Sequence, residues 1–181
     1  MKDLGELKFF LGIEFVRFKK VIMMGQRKYA LELISKSGLG GARPAGTPLK
    51  VNQKLTSEEY DRCLRGDEEH EDKLLKDTGG YQRLMGRLLY LTMTRPDLAF
   101  VAQMLSQYMH CPKESHMEAA FKVVRYLKEV PGLGLLMPAQ NTNMLSAYCD
   151  SDRGTCLQTR RFVTGYLVKF GDALISWKSK K

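Results

Sequence analysis

The 181 residues suffice for one ordinary domain or two small ones, and 44% hydrophobic against 27% charged residues is a globular balance that excludes a wholly disordered or fibrous chain. The formal charge of +9 is uneven: residues 58–72 hold eight acids against Arg62 and Arg65, so the remainder is a basic body suited to polyanion partners, or else a solvated basic surface. No apolar run approaches the roughly 18 residues needed to cross a bilayer, and the N-terminus lacks a charged-then-apolar leader, so an intracellular chain with no membrane partner is expected.

Residues 7–16 (LKFFLGIEFV) alternate, with Phe9, Leu11, Ile13 and Phe15 on one face, and predict a strand. Lys19-Lys20 suits a turn, and 21–24 return as a second strand. Gly25-Gln26 lead into a helix on which Tyr29, Ala30, Leu33 and Ile34 share a face, and Gly38 followed by Leu39 marks its end. Residues 40–57, with two prolines and three glycines, read as an extended surface connection. The acidic residues 58–72 lack periodicity and read as loop or disorder, within a flexible acidic loop at 54–72.

The strongest pattern lies at 81–128 and predicts three amphipathic helices. Tyr81, Leu84, Met85, Leu88 and Leu89 form the first stripe, which Thr94-Arg95-Pro96 interrupts because the residue before proline avoids the α region. Pro96 suits the first position of the next helix and Asp97 its positive start; Leu98, Val101, Ala102, Leu105, Tyr108 and Met109 are its stripe. Cys111-Pro112 end it, Ser115 is placed to cap a third helix with Met117, Ala120, Phe121, Val124 and Leu127, and Pro131-Gly132 stop that one. Three apolar stripes on short links must bury against one another.

Beyond Gly132 the period shortens to two. Residues 133–137 form a short strand, 138–143 a turn-rich break, and 145–149 a strand ending at Asp150. Residues 162–170 place Phe162, Thr164, Tyr166, Val168 and Phe170 on one side, Gly171-Asp172 turn, and 173–178 return around Ile175 and Trp177. The last three strands predict an antiparallel meander.

MKDLGELKFFLGIEF, GQRKYALELI, YQRLMGRLLYLTMTRPDLAF, VVRYLKEVPGLGLL, AYCDSD and ISWKSKK follow one another in the order and spacing of copia-type retrotransposon Pol polyproteins, which the chain resembles over nearly its whole length, less well at 54–72. The resemblance is to the reverse transcriptase region after the polymerase site, running into the start of the ribonuclease H domain. It implies an α+β fold: an N-terminal β-hairpin, a thumb-like helical bundle, then a truncated antiparallel ribonuclease H-like sheet, divided into 1–130 and 131–181. Under it Phe10, Leu11 and Gly12 look like the primer grip, and the helices at 28–37 and 81–128 like the thumb and connection. Tyr148-Cys149-Asp150 then looks like the first nuclease strand. In the family a Tyr-x-Asp-Asp motif precedes the residues matching Met1, and no Asp-Asp pair occurs here. A catalytic glutamate follows the residues matching Lys181. Two-metal chemistry needs several carboxylates, so a catalytically incomplete fragment is expected, with no cofactor of its own where the intact enzyme uses magnesium. Arg153 stands where the family usually carries tryptophan.

Asp150 is therefore the candidate vestigial catalytic carboxylate and metal ligand, or merely a turn cap; Asp152 is near enough to share an ion, a weak magnesium pair at best. Arg83 with Arg87 and Lys122 with Arg125 project from polar helix faces, and Gln26, Arg27 and Lys28 sit at a helix start; all are candidate phosphate contacts, or ordinary solubilising residues. His110 and His116 read as surface or packing residues. The acidic run lacks EF-hand spacing, and Cys63, Cys111, Cys149 and Cys156 form no C-x-x-C pair, so reduced, mostly buried thiols are expected. Three functions compete: an inactive retrotransposon fragment, a module binding RNA–DNA or RNA duplex, and a thumb serving a separately encoded palm. The rest of the Pol polyprotein is the expected protein partner.

Overall fold

Two antiparallel sheets accompany a helical core in a computed structural model that describes residues 5–50, 53, 55–65, 72–139, 143–152 and 163–180. The first sheet has the order β1 (Phe9–Phe10), β2 (Ile13–Phe18), β3 (Val21–Gly25), β4 (Leu135–Pro138). The single strand expected at 7–16 is broken in two. Leu11 and Gly12 take φ of 46° and 76°, and Phe10 pairs back on Ile13. Consecutive positive φ values make a tight hairpin turn, a reversal that alternation of apolar residues cannot reveal. The turn at Lys19-Lys20 is as expected, with Phe18 opposite Val21. β4 arrives from far along the chain to pair with β3, although the sequence groups it with the later strands. Gly134 permits this approach, because a Cβ there would fall 2.2 Å from the Met24 carbonyl oxygen.

Five α-helices are described: α1 (Arg27–Lys36), α2 (Glu58–Arg65), α3 (Thr78–Leu91), α4 (Ala99–Ser106) and α5 (Glu114–Leu127). The Pro96–Leu98 turn, with proline at its first position, feeds α4. Ala30, Leu33, Tyr81, Leu84, Met85, Leu88, Val101, Leu105, Ala120, Val124 and Leu127 form one buried cluster, so the three stripes read at 81–128 and the α1 face share a core. Each such leucine contributes roughly 1.5–3 kcal/mol by leaving water. No helix among the described residues is long and apolar enough to cross a membrane.

Three local expectations are corrected. α2 lies where loop or disorder was expected: Ser57 Oγ accepts from the Tyr60 N–H, and acids crowd its first turn. Capping and charge at a helix start favour a helix even where apolar residues are few. Ser115 lies inside α5 rather than capping it. Its N–H and hydroxyl both donate to Asp72, at 3.0 and 2.7 Å, while the Lys113 N–H donates to His116 Nδ1. The thiols of Cys63, Cys111 and Cys149 are free but exposed rather than buried.

Arg95, read only as part of a helix break, is 2% exposed. Its guanidinium forks onto Asp97, with Nε–Oδ1 2.9 Å and Nη2–Oδ2 2.7 Å, and reaches the Val130 carbonyl at 3.1 Å. It also lies over the Tyr126 ring. A buried guanidinium is tolerated only with such saturation, and here it ties the entry of α4 to the exit of α5.

The second sheet is the expected meander, β5 (Leu145–Asp152), β6 (Val163–Phe170) and β7 (Ala173–Lys180). Tyr166 lies opposite Lys178, and Leu167 opposite Trp177, so Tyr166 and Trp177 occupy opposite faces. The Trp177 indole N–H donates to the Thr92 carbonyl at 2.9 Å, and α4 packs on β7, so the helices cover part of one sheet face. Phe162 and Arg153 lie outside the described residues.

Candidate nucleic-acid interface

The Phe10–Gly12 turn is anchored on the helical core. Tyr90 OH, from α3, donates to the Leu11 carbonyl, and a Cβ at Gly12 would meet the Tyr90 ring at 3.6 Å. Tyr90 in turn packs edge-on against Tyr29 of α1, ring centres 5.2 Å apart. Turn, α1 and α3 therefore form one continuous surface. Phe10 and Leu11 are 56% and 69% exposed on it, an unusual exposure for large apolar groups.

Helical spacing puts Arg83 and Arg87 one turn apart. Both line a surface hollow of about 340 Å³ between α1, α3 and α5, together with Lys36 and Phe121. Arg83 also lies 3.7 Å from the exposed Asp77 carboxylate, a weak surface pairing. Arg87 lies near Tyr29 and Glu32; burial raises the Tyr29 pKa, while the Lys36 hydrogen bond lowers that of Glu32.

Lys122 and Arg125, on the next face of α5, line a second hollow of about 350 Å³ with Lys50, Gln53 and Glu118. Phe121 lines both hollows, so the two adjoin at one aromatic side chain. Lys50 and Gln53 form its far wall, and on either side of them Ala45 N–H bonds Arg125 O at 3.2 Å and Thr56 O bonds His116 Nε2 at 3.1 Å. Lys128 steadies the segment after α1 by donating to the carbonyls of Leu39, Gly40 and Ala42.

The other candidates are placed elsewhere. Arg27 and Lys28 are exposed at the start of α1 but line neither hollow; Arg27 lies beside Gly132, and the Lys28 N–H donates to Glu14 Oε1 at 2.8 Å. Gln26 is 1% exposed and accepts from Thr94 Oγ1 at 2.8 Å, so it braces the core and cannot reach a surface ligand. His110 is exposed and His116 is packed inside. Lys36, Lys50 and Gln53 are not marked by the sequence, and Phe121 only as part of the α5 stripe; nothing local marks a lysine in a proline-rich connection as opposite a helix face.

Asp150 is exposed on β5, opposite Gly165, with the Ser151 N–H donating to it at 2.9 Å. It lines a hollow of about 390 Å³ between the second sheet and Pro96, Ala99 and Phe100. Among the described residues no group of three His, Cys, Asp or Glu side chains is placed to hold a metal. The described residues thus do not make a two-metal site, and no metal step is assigned to Asp150.

Across all 181 positions the chain is 36% identical to the Retrovirus-related Pol polyprotein from transposon RE2 of Arabidopsis thaliana and spans 12% of that protein. It is 30% identical to the corresponding polyprotein from transposon TNT 1-94 of Nicotiana tabacum, spanning 13% of its length. An uncharacterised mitochondrial protein of Arabidopsis thaliana is 31% identical over the whole chain, which covers 70% of it. No protein-family model and no solved structure matches.

Proposed function

The chain belongs to the copia-type, retrovirus-related Pol polyproteins of retrotransposons, and on that footing we propose that it is the reverse transcriptase stretch after the polymerase site, running into the start of the ribonuclease H region. Its role in this reading is to hold a nucleic-acid duplex, RNA–DNA or RNA, by its backbone. The observation that carries the reading is the pair of adjoining hollows at Phe121, with Lys36, Arg83 and Arg87 on one side and Lys50, Lys122 and Arg125 on the other. Cations set along a groove neutralise successive phosphates and release counterions without reading sequence. The exposed Phe10-Leu11-Gly12 turn, tied to Tyr90, is the part that meets the end of the growing strand. Asp150 is the vestige of a nuclease carboxylate, and magnesium belongs to the intact enzyme.

Fluorescence anisotropy with a labelled RNA–DNA hybrid over a salt series tests this. Dissociation constants on the order of 10⁻⁴–10⁻⁶ M at physiological salt are expected, with log affinity falling by roughly 0.7–0.9 per phosphate contact for each decade of salt. Arg83→Glu with Arg87→Glu should weaken binding to every duplex alike and flatten the salt slope. Absence of binding at low salt, or indifference to the two reversals, overturns the reading.

A further inference from the structure

The strands of the first sheet are apolar on both sides, the pattern of a sheet covered on both faces rather than of one with a side in water. Side chains alternate along a strand, so the register sorts them. Ile13, Phe15, Met24 and Leu135 fall on one side, where Ile13 and Leu135 are buried. Phe9, Val16, Phe18, Met23 and Leu136 fall on the other. Leu7 joins this second side. The Phe15 N–H donates to the Lys8 carbonyl at 2.9 Å and Arg17 lies 3.8 Å from Glu6, so residues 6–8 run on from β1 beside β2 and set Leu7 opposite Val16.

Leu7, Phe9, Val16, Phe18 and Leu136 are between 40% and 59% exposed, and Met23 stands half-buried between Val16 and Leu136. Among the described residues of the four strands, Glu14 is the one charge on this side, at its Phe9 end. The Lys19-Lys20 turn closes the opposite end, beyond Phe18. Two phenylalanines more than half exposed supply about 100 Å² each. With the aliphatic side chains the face offers roughly 500 Å², at the upper end of what a monomer leaves in water. Two such faces in contact bury about 1,000 Å², the lower bound for a specific complex.

A nucleic acid meets proteins mainly through phosphates and sugars, which gain nothing from this surface. We propose that it is a self-association surface, on which two copies of the chain pack sheet to sheet about a twofold axis that crosses the strands. Such an axis turns the copies end for end and brings the Lys19-Lys20 end of one over the Glu14 end of the other. An axis along the strands would instead set lysines on lysines. Phe10 shares the side of Ile13, so the inference is independent of the duplex contacts proposed above.

Sedimentation equilibrium of the full chain, in a reducing buffer that keeps the exposed thiols of Cys63, Cys111 and Cys149 apart, tests this. A monomer–dimer equilibrium with a dissociation constant on the order of 10⁻⁵ M is expected for so small an interface. Phe18→Lys and, separately, Leu136→Lys should weaken it at least tenfold, because each leaves a charge unpaired in a desolvated contact. Both side chains are exposed in the single copy, so the fold is kept, which circular dichroism confirms. Leu145→Lys adds the same charge at an exposed apolar position of the second sheet and should leave the dimer unchanged. Lys19→Glu with Lys20→Glu should weaken the dimer roughly two- to fivefold, the range of surface charge pairs. A chain that stays monomeric well above the expected constant would leave the face to another segment of a longer polyprotein, and overturns the proposal. A dimer that survives Phe18→Lys and Leu136→Lys, or is lost in Leu145→Lys, places the contact elsewhere and also overturns it. A tighter dimer in the double lysine reversal would mean that like ends meet, and overturns the arrangement proposed.

Discussion

The Lys113 ammonium, with a side chain only 4% exposed, lies 2.6 Å from the Asp61 carboxylate and 2.9 Å from that of Asp72. It also donates to Thr56 Oγ1 at 3.3 Å. One lysine at the start of α5 thus fastens Thr56, α2 and the approach to α3 to the bundle. Burial alone lowers the Lys113 pKa, but its hydrogen bonds to Asp61 and Asp72 outweigh that and hold it above the ordinary lysine value. Burial likewise pushes the Asp72 pKa up, and bonds from Ser115 and Lys113 more than reverse the effect.

Lys113→Met should destabilise the chain by about 3 kcal/mol, the lower end for breaking a buried pair. The lower end applies because the Asp61 and Asp72 side chains are 20% and 32% exposed and water can reach them. Urea unfolding measures it. A loss below roughly 1 kcal/mol, the surface-pair range, would show that the clamp contributes little. Since α2 hangs on this contact, amide exchange across 58–65 should rise more than across α3.

His116 sets an acid dependence. Burial, helped by the neighbouring Lys113 charge, lowers its pKa from 6.5 to about 4. Its ring stacks on Tyr108, centres 3.9 Å apart. The unfolded chain therefore takes up a proton at higher pH than the folded one, and stability falls as pH drops from about 6.5 toward about 4. The slope approaches about 1.4 kcal/mol per pH unit within that window. Asp72, depressed in the fold, contributes stability that is lost only at lower pH, as pH falls through its folded value, and Lys113, raised in the fold, stability lost only at alkaline pH. His116→Gln keeps a hydrogen-bonding side chain that does not titrate, so its unfolding free energy should lose most of this slope; a wild-type slope in the variant would refute the assignment.

Tyr90→Phe removes the hydroxyl that holds the Leu11 carbonyl. The expected global loss is about 1 kcal/mol, with faster exchange concentrated at 9–13. Gly12→Ala acts on the same turn by strain, since φ of 76° costs a Cβ-bearing residue roughly 1–2 kcal/mol. If duplex binding depends on the turn, both variants should weaken it further than their stability losses explain.

Trp177→Phe deletes the indole donor to Thr92 and should loosen the meander from the helices. Hydrogen exchange over 163–180 should quicken several-fold, while 81–127 stays protected. Unchanged exchange in the meander would mean that packing of α4 on β7 suffices without the bond.

Where the signal was local, it was legible. Tyr81, Leu84, Met85 and Leu88 recur at helical spacing, and all four are buried, because the period of a stripe states which face must leave water whatever the partner. The α1 face, the Lys19-Lys20 turn and the three-stranded meander follow from the same kind of pattern. The grouping of Arg83 with Arg87 and of Lys122 with Arg125 is likewise visible as one-turn spacing on a helix.

Tertiary structure decided the rest. Lys113, capping α5, and Lys122, within it, are the same residue type, yet one is clamped inside by two carboxylates and the other lines a hollow. The difference is that Thr56, Asp61 and Asp72 come to Lys113, which no period records. Gln26 sits where a helix-start phosphate contact was expected and is buried instead, because Thr94 from the end of α3 folds over it. β4 leaves the meander for β3, and Gly134 matters only once Met24 lies against it. Apolar periodicity is set by each segment's own surface, whereas charge pairing and strand order are set by which distant segments meet, and their cost or gain appears only at that meeting.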